Sequence, residues 1–394
     1  MSRRARAWLQ ARAPGLLLPL ATTVLAFMIG GLVVAATGHN PFAAYRAIFN
    51  GTGITYIFPW TPADDKDFAA LNLQQTLILT TPLILTALAV AFPYRCGMFN
   101  IGGQGQYIVG IVGAIWVGSR WPDLAKPEHL ALALIVAALA GALWGAIAGA
   151  LKAAVGAHEV ISTIMLNWIA IYGSQWLFEL GGPMQGPARD VPQSAEVHES
   201  ARLPAIWGTL QPLHAGFYLA LAALVVYYLV INRTTFGFGV RAVGLNAEAA
   251  RYSGIPVARN YIAALAVGGA FAGLAGACDV LGWEFHIVTN DIAASQVGFI
   301  GIAVALLGRN AAVGIGLSAL LFGGLQVGTS TRSLDPSVFP PELAGNLATV
   351  IQGLIILFIG AQLLLVYVWR ARRRGPGGGP VAPAPVTWVE GSPP

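Results

Sequence analysis

Long apolar runs broken by short polar turns set the character of this chain. Runs of spanning length fall at about 16–36, 73–92, 101–119, 129–151, 159–179, 215–231, 261–281, 293–308, 312–328 and 345–368. About 20 apolar residues cross the roughly 30 Å of bilayer hydrocarbon, so ten crossings are expected, the eighth and ninth short and separated only by Gly308–Ala311. The runs lack the alternation of a lipid-facing barrel strand, which leaves helices as the spanning elements. The expected fold class is an all-α polytopic membrane protein, with its membrane domain over 16–368. A basic N-terminal segment, 1–15, precedes it, and a tail, 369–394, follows. The end of the tail, "GPGGGPVAPAPVTWVEGSPP", is rich in Pro and Gly and is expected to be disordered.

Charge orients the runs. With the N-terminus in the cytoplasm, the inside segments hold Arg3, Arg4, Arg6, Arg12, Arg95, Lys152, Arg233, Arg241, Arg251, Arg259, Arg309, Arg370, Arg372, Arg373 and Arg374, 15 of the 22 basic residues. An even number of crossings also returns the "WRARRRG" tail to the cytoplasm. The arginines ahead of Leu16–Ala36 resemble the start of a signal peptide, but the run is longer than a usual signal core and is read as a retained first helix. Two outside loops are long and rich in Pro, Gly and Trp, 37–72 and 180–214. Loops of that length suit docking, although simple connection is the alternative.

Composition agrees. The 394 residues are 56% hydrophobic and 10% charged, against about 25% charged in soluble domains. Cys96 and Cys278 lie in or beside apolar runs, so no disulfide framework is expected. Nothing in the charge pattern calls for nucleic acid. Asp279 and Glu179 fall near the outer ends of their spans, and no ionisable residue lies deeper. Ion-coupled carriers often place carboxylates at mid-membrane, so their absence favours a neutral solute moved by energy supplied elsewhere.

Small residues four apart let membrane helices approach closely. Gly141, Gly145 and Gly149 have that spacing in the fourth run, as do Gly269 and Gly273 in the seventh and Gly324 and Gly328 in the ninth. Bundle packing is the expected use.

Three apolar runs begin oddly. "YRCGMFNIGGQGQY" sets Asn100, Gln104 and Gln106 among glycines at the cytoplasmic entry of the third run. Buried amides need partners, and irregular backbone at membrane depth belongs inside protein or beside a watery cavity. "EVISTIMLNWIA" adds Ser162, Thr163, Asn167 and Trp168. Its hydroxyls are able to bond back to their own helix, whereas a mid-span Asn is costly. "SQVGFIGIAVALLG" opens the eighth run with Ser295 and Gln296. The third and eighth runs enter from opposite sides, which hints at an inverted repeat around a central site. Asn100, Gln104, Gln106, Asn167, Trp168 and Gln296 are therefore candidates for a substrate path, with helix-to-helix bonding as the alternative role.

The loop 232–260 is the longest internal cytoplasmic segment. Asn246 suits an N-cap, Glu248 the first turn, Arg251 the last and Gly254 a C-cap, and Pro256 stops continuation. A helix of about two turns is expected over Asn246, Ala247, Glu248, Ala249, Ala250, Arg251 and on to Gly254, marginal alone and best explained by docking to another protein. The chain has no G-x-x-x-x-G-K-[ST] phosphate loop, "HEVIS" lacks the second His of a zinc-protease motif, and no catalytic constellation is present.

Taken in order, "YRCGMFNIGGQGQYIVGIVGA", "EVISTIMLNWIA", "GVRAVGLNAEAARYSGI" and "GFIGIAVALLGRNAAVGI" resemble the membrane subunits of bacterial ABC importers for nucleosides, within the broader permease family that also serves ribose-type sugars and branched-chain amino acids. The resemblance runs from about Pro41 to Leu365. It implies a ten-helix core like that of the vitamin B12-type (type II) importer, placed in the bacterial inner membrane with both termini cytoplasmic. It implies a second, different permease, a tandem-domain ATPase that carries the ATP and magnesium, and an extracytoplasmic substrate-binding lipoprotein. The permease itself would hold no cofactor or metal, and Asn246–Gly254 would be the coupling helix. The family usually carries an acid where this chain has Gln104. A simple-sugar permease of the same family and an ion-coupled carrier are the alternative readings.

Overall fold

A computed structural model describes residues 3–210, 212–330 and 340–360, about three quarters of them helical. The last residues of the tenth run, 361–368, and the tail expected to be disordered lie outside the described residues. Six helical stretches are long and apolar enough to cross a membrane: Pro19–Ala36, Ala63–Tyr94, Lys126–Val155, Gly216–Arg233, Val257–Glu284 and Thr289–Leu307. Shorter apolar helices accompany them.

Helix α3 (Ala63–Tyr94) is the axis of the bundle. Its 32 residues rise about 48 Å, and every side chain from Thr80 to Pro93 is buried. Within that stretch the polar side chains are hydroxyls, and each is met one turn back: Thr80 donates to the Thr76 carbonyl (2.6 Å), Thr81 to Leu77 (2.9 Å) and Thr86 to Pro82 (2.9 Å). The termini differ in kind. Asp64 and Asp65 occupy the first turn, where the helix dipole favours acids, and Arg95 follows the last.

Helix α5 (Lys126–Val155) divides into two faces. Ile135, Leu139, Leu143, Ile147, Leu151 and Val155 are exposed at four-residue spacing, a stripe suited to lipid. On the opposite face the glycine ladder meets α10 (Val257–Asp279). A Cβ on Gly141 would strike the Gly269 carbonyl, and one on Gly149 would come within 2.7 Å of the Ile262 Cα. The spacing of small residues in the sequence is thus realised as backbone contact between α5 and α10.

The third and eighth runs depart from continuous crossings. Helix α4 (Gly103–Gly118) starts only after an irregular stretch, 95–102. The eighth run is two pieces, α11 (Thr289–Ala294) and α12 (Val297–Leu307), broken at Ser295–Gln296. At about 17 Å, α12 cannot cross the hydrocarbon alone. Ser295 is extended (φ −61°, ψ 131°), and Gln296 begins a new helix. Helix α13 (Ala312–Gly328) follows it.

At the end read as outer, helix α1 (Arg3–Ala36) turns into α2 (Pro41–Gly51), which Asn40 caps by accepting from Phe42 N (2.9 Å). Helix α2 folds back along α1: Tyr45 donates to the Phe27 carbonyl (2.5 Å). Next to it, Thr76 of α3 donates to the Thr52 carbonyl (2.8 Å). The described part of the loop 180–214 is tied down as well. Its amides at Ser194, Val197 and Leu203 donate to Ile287, Phe285 and Leu281, and His198 N donates to Gly118 O, all at 2.8–2.9 Å. A small hairpin, β1 (Ala205–Trp207) with β2 (Leu213–His214), closes the loop.

His214 in β2 is buried. Its Nδ1 accepts from Gly216 N (3.2 Å), which leaves the proton on Nε2, where it has no partner among the described residues. Burial pushes its pKa down to about 4. The unfolded chain then binds the extra proton below about pH 6.5, so stability falls as pH drops toward 4. Acidifying from pH 7 to 5 is expected to cost about 2 kcal/mol at this residue. Thermal unfolding of the purified chain checks this: the fall in Tm over that range shrinks in His214→Gln.

Arg95 and Lys152, two of the basic residues read as cytoplasmic, are held by neighbours at the opposite end. Arg95 donates through Nη2 to the Asn310 carbonyl (2.7 Å) and through Nε to the Tyr227 hydroxyl (3.2 Å). Tyr227, on α7 (Gly216–Arg233), donates in turn to the same carbonyl (2.7 Å). Lys152 pairs with Glu159 at 2.6 Å.

Candidate functional site

The amides of the third run answer the question their position raises. Neither α4 nor α12 has a side-chain cap of its own, since Gly102 and Gln296 occupy the two cap positions without making one. The first amide groups of a helix need acceptors, and here they are supplied from a distance. Asn167, on α6 (Glu159–Phe178), accepts from Gly105 N (2.8 Å) and donates to the Ile101 carbonyl (2.9 Å). Gln104 accepts from Gly298 N (2.8 Å) and donates to the Ser295 carbonyl (3.0 Å). Each broken helix is capped by a residue from another element.

Two more amides brace the approach to this junction. Asn100 donates to the Ala89 carbonyl of α3 (2.9 Å) and to Gln106 Oε1 (3.0 Å), and it accepts from Gly102 N (3.0 Å). Gln106 donates back to Asn100 Oδ1 (3.2 Å). All four amide side chains are buried. Glycine is required where the two helix starts meet, because a Cβ on Gly298 would strike the backbone of Gln104. Helix α4 runs from here toward the outer loops and α12 toward Arg95, so two half-crossings from opposite sides touch start to start inside the bundle.

Trp168 and Gln296 do not join the cluster. Trp168 is 52% exposed on the outward face of α6 and stacks on Tyr172 (5.9 Å between centroids). Gln296 is exposed at the break itself. The hydroxyls of Ser162 and Thr163 bond back to His158 O (3.2 Å) and Glu159 O (2.8 Å).

The loop 232–260 holds two helices, α8 (Thr235–Leu245) and α9 (Ala247–Tyr252). Asn246 Oδ1 accepts from Ala249 N (3.0 Å). Gly254, at φ 80°, donates to the Arg251 carbonyl (3.0 Å), and Ile255 N donates to Ala250 O (2.9 Å), the two bonds of a Schellman end. Only Ala250 of α9 is buried, whereas Tyr252 is 92% and Leu245 77% exposed. Glu248, Ala249 and Arg251 also face outward. The last turn of α8 touches the stretch that leads into α4: a Cβ on Gly244 would strike the Arg95 carbonyl, and Gly97 packs against Gly244. Helix α8 itself escaped the sequence reading because "TTFGFG" reads as loop. Its signal is Thr234, which accepts from Gly237 N (3.0 Å) as an N-cap.

Residues 72–360 match the model of a family described as the permease component of branched-chain amino acid transport systems. The chain belongs to that family. It is similar to the guanosine ABC transporter permease NupP of Bacillus subtilis, 39% identical over 362 residues, 91% of this chain and 96% of that one. It is also similar to the nucleoside ABC transporter permease NupB of Lactococcus lactis (33% over 358 residues, 89% and 92%). The glucose ABC transporter permease TsgB13 of Haloferax volcanii is 35% identical over 350 residues, 86% of each chain. This permease is accordingly a multi-pass membrane transport component and not an enzyme.

One consequence for the permease is directly measurable. Gln104→Leu keeps the bulk but strands Gly298 N and the Ser295 carbonyl, each at a cost of about 1–3 kcal/mol. The variant is expected to melt well below the parent in detergent, whereas Gln104→Glu, protonated in place, retains both bonds and most of the stability.

Proposed function

We propose that this chain is the membrane-spanning permease of an ATP-driven importer of nucleosides in the bacterial inner membrane, with both termini cytoplasmic. The observation that carries the reading is end-to-end similarity to a guanosine permease, covering 91% of this chain. On this reading the ten apolar runs make a type II, vitamin B12-importer-like core in which the third and eighth are completed by each other. A second, different permease stands beside it. A tandem-domain ATPase, which holds the ATP and magnesium, meets the exposed face of α9, and a substrate-binding lipoprotein docks on the outer loops. A crevice of about 630 Å³ there, lined by Glu196, His198, Arg202 and His286, offers a polar seat.

The mechanism follows from which parts touch. A push on α9 reaches Gly244, then the backbone at Arg95–Gly97, then Asn100 and the junction of α4 with α12. Asn100, Gln104, Gln106 and Asn167 act on the path by holding that junction, since their polar atoms are already engaged by protein. Gln296 and Trp168, which are exposed, are the candidates for direct contact with solute: the amide for a ribose or base edge, the indole for stacking.

Uptake of labelled guanosine, measured in cells that express the chain with its partner subunits, tests the proposal. Competition by other nucleosides and not by glucose is the expected outcome. The similarity to a glucose permease favours the second reading, a simple-sugar permease, and the reverse pattern of competition would establish it.

A further inference from the structure

At the basic end of the bundle, an open crevice of about 440 Å³ lies between the start of α8 and the start of α10. Its walls are of two kinds. Phe236, Phe238 and Ala263 form an apolar side, and Phe238 is left 60% exposed. Thr235, Arg259 and Asn260 form a polar side. Arg259 makes no ion pair among the described residues, and no acidic residue lines the space.

Two features give the polar side a preference for an anion, and a third adds an acceptor for a neighbouring donor group. The Arg259 guanidinium has no acidic partner among the described residues. Thr235 opens α8, and Arg259 and Asn260 lie in the first turn of α10, so two positive helix ends border the same space. Asn260 is 6% exposed, and its Nδ2 donates to the Pro256 carbonyl (2.9 Å). Its Oδ1 accepts no hydrogen bond among the described residues and remains available to a hydroxyl or ammonium group.

An anion alone would leave the phenylalanine wall bare. A molecule with a phosphate at one end and a hydrocarbon chain at the other satisfies both sides. We propose that this crevice binds one anionic phospholipid, with its phosphate on Arg259, a headgroup hydroxyl on Asn260 and an acyl chain over Phe236, Phe238 and Ala263. The proposal rests on the orientation given above, which sets the basic end at the cytoplasmic leaflet, where anionic lipid collects. It does not depend on which solute is carried. The bound lipid braces α8, the helix that joins α9 to the bundle.

The test is native mass spectrometry of the intact transporter released from nanodiscs of phosphatidylglycerol mixed with phosphatidylcholine. One phosphatidylglycerol is expected to stay bound in preference to phosphatidylcholine. Arg259→Gln is expected to reduce its retention about fivefold, in keeping with one basic residue at an anionic surface, and Ala263→Trp to reduce it by filling the floor. Arg309→Gln, at the same end but outside the crevice, is expected to leave retention unchanged. An unchanged elution profile and Tm for each variant guard against misfolding. Equal losses in Arg259→Gln and Arg309→Gln would reduce the effect to diffuse attraction and overturn the site. Displacement by soluble glycerol phosphate would make it a free-phosphate site, and no preference between lipids would also overturn it. None of these readouts uses uptake, so failure here is distinct from failure of the transport reading.

Discussion

Replacing residues 247–253 with a Gly/Ser sequence of equal length is expected to reduce uptake to background while the chain remains inserted. The segment contributes little to the bundle, since Ala250 alone of α9 is buried. What it loses is rigidity. The Asn246 cap and the Schellman end hold six residues as a helix that would be marginal by itself, and a Gly/Ser tract yields under a push. The comparison needs two measurements on the same cells: labelled nucleoside uptake, and the amount of full-length permease in the membrane. Normal uptake would remove α9 from the transmission path. A graded companion is Asn246→Ala, expected to weaken the helix by about 1 kcal/mol and to slow uptake without stopping it.

The second large effect lies at the junction. Gly298→Val is expected to leave no assembled, transport-competent permease. The added side chain would collide with the backbone of Gln104 and the carbonyl carbon of Gly103 (2.7 Å from the first new atom). Backbone cannot step aside as a side-chain tip can, so the starts of α4 and α12 would separate and both capping bonds of Gln104 would be lost. Gly345→Val is the matched control, because a Cβ there would meet nothing within 4 Å beyond its own helix among the described residues. A monodisperse elution peak from Gly298→Val, with uptake near that of the parent, would show that the two half-crossings do not meet as described.

Much of this was legible in the sequence. The glycine ladder of α5 is written at helical spacing, so its use in close packing is local information, although the partner α10 is not. The cap residues of α9 are equally local: Asn246, Gly254 and Pro256 lie within ten residues of one another, and each does what its chemistry predicts. The break at Ser295–Gln296 was not legible. Its cause is Gln104, about 190 residues earlier, whose side chain satisfies groups on both sides of the gap, and no window on the eighth run contains that residue. Asn167 and Trp168 show the same limit at shorter range. Adjacent positions on one helix point about 100° apart, and only the packing of α6 on α4 decides which is enclosed.

The short helix α12 carries a consequence for biogenesis. A segment of about 17 Å is a poor substrate for independent insertion, and its partner Gln104 is synthesised long before it. Gln104 is made about 190 residues before the groups it caps, so a product truncated before Ser295 is expected to leave the Gln104 amide buried without either partner.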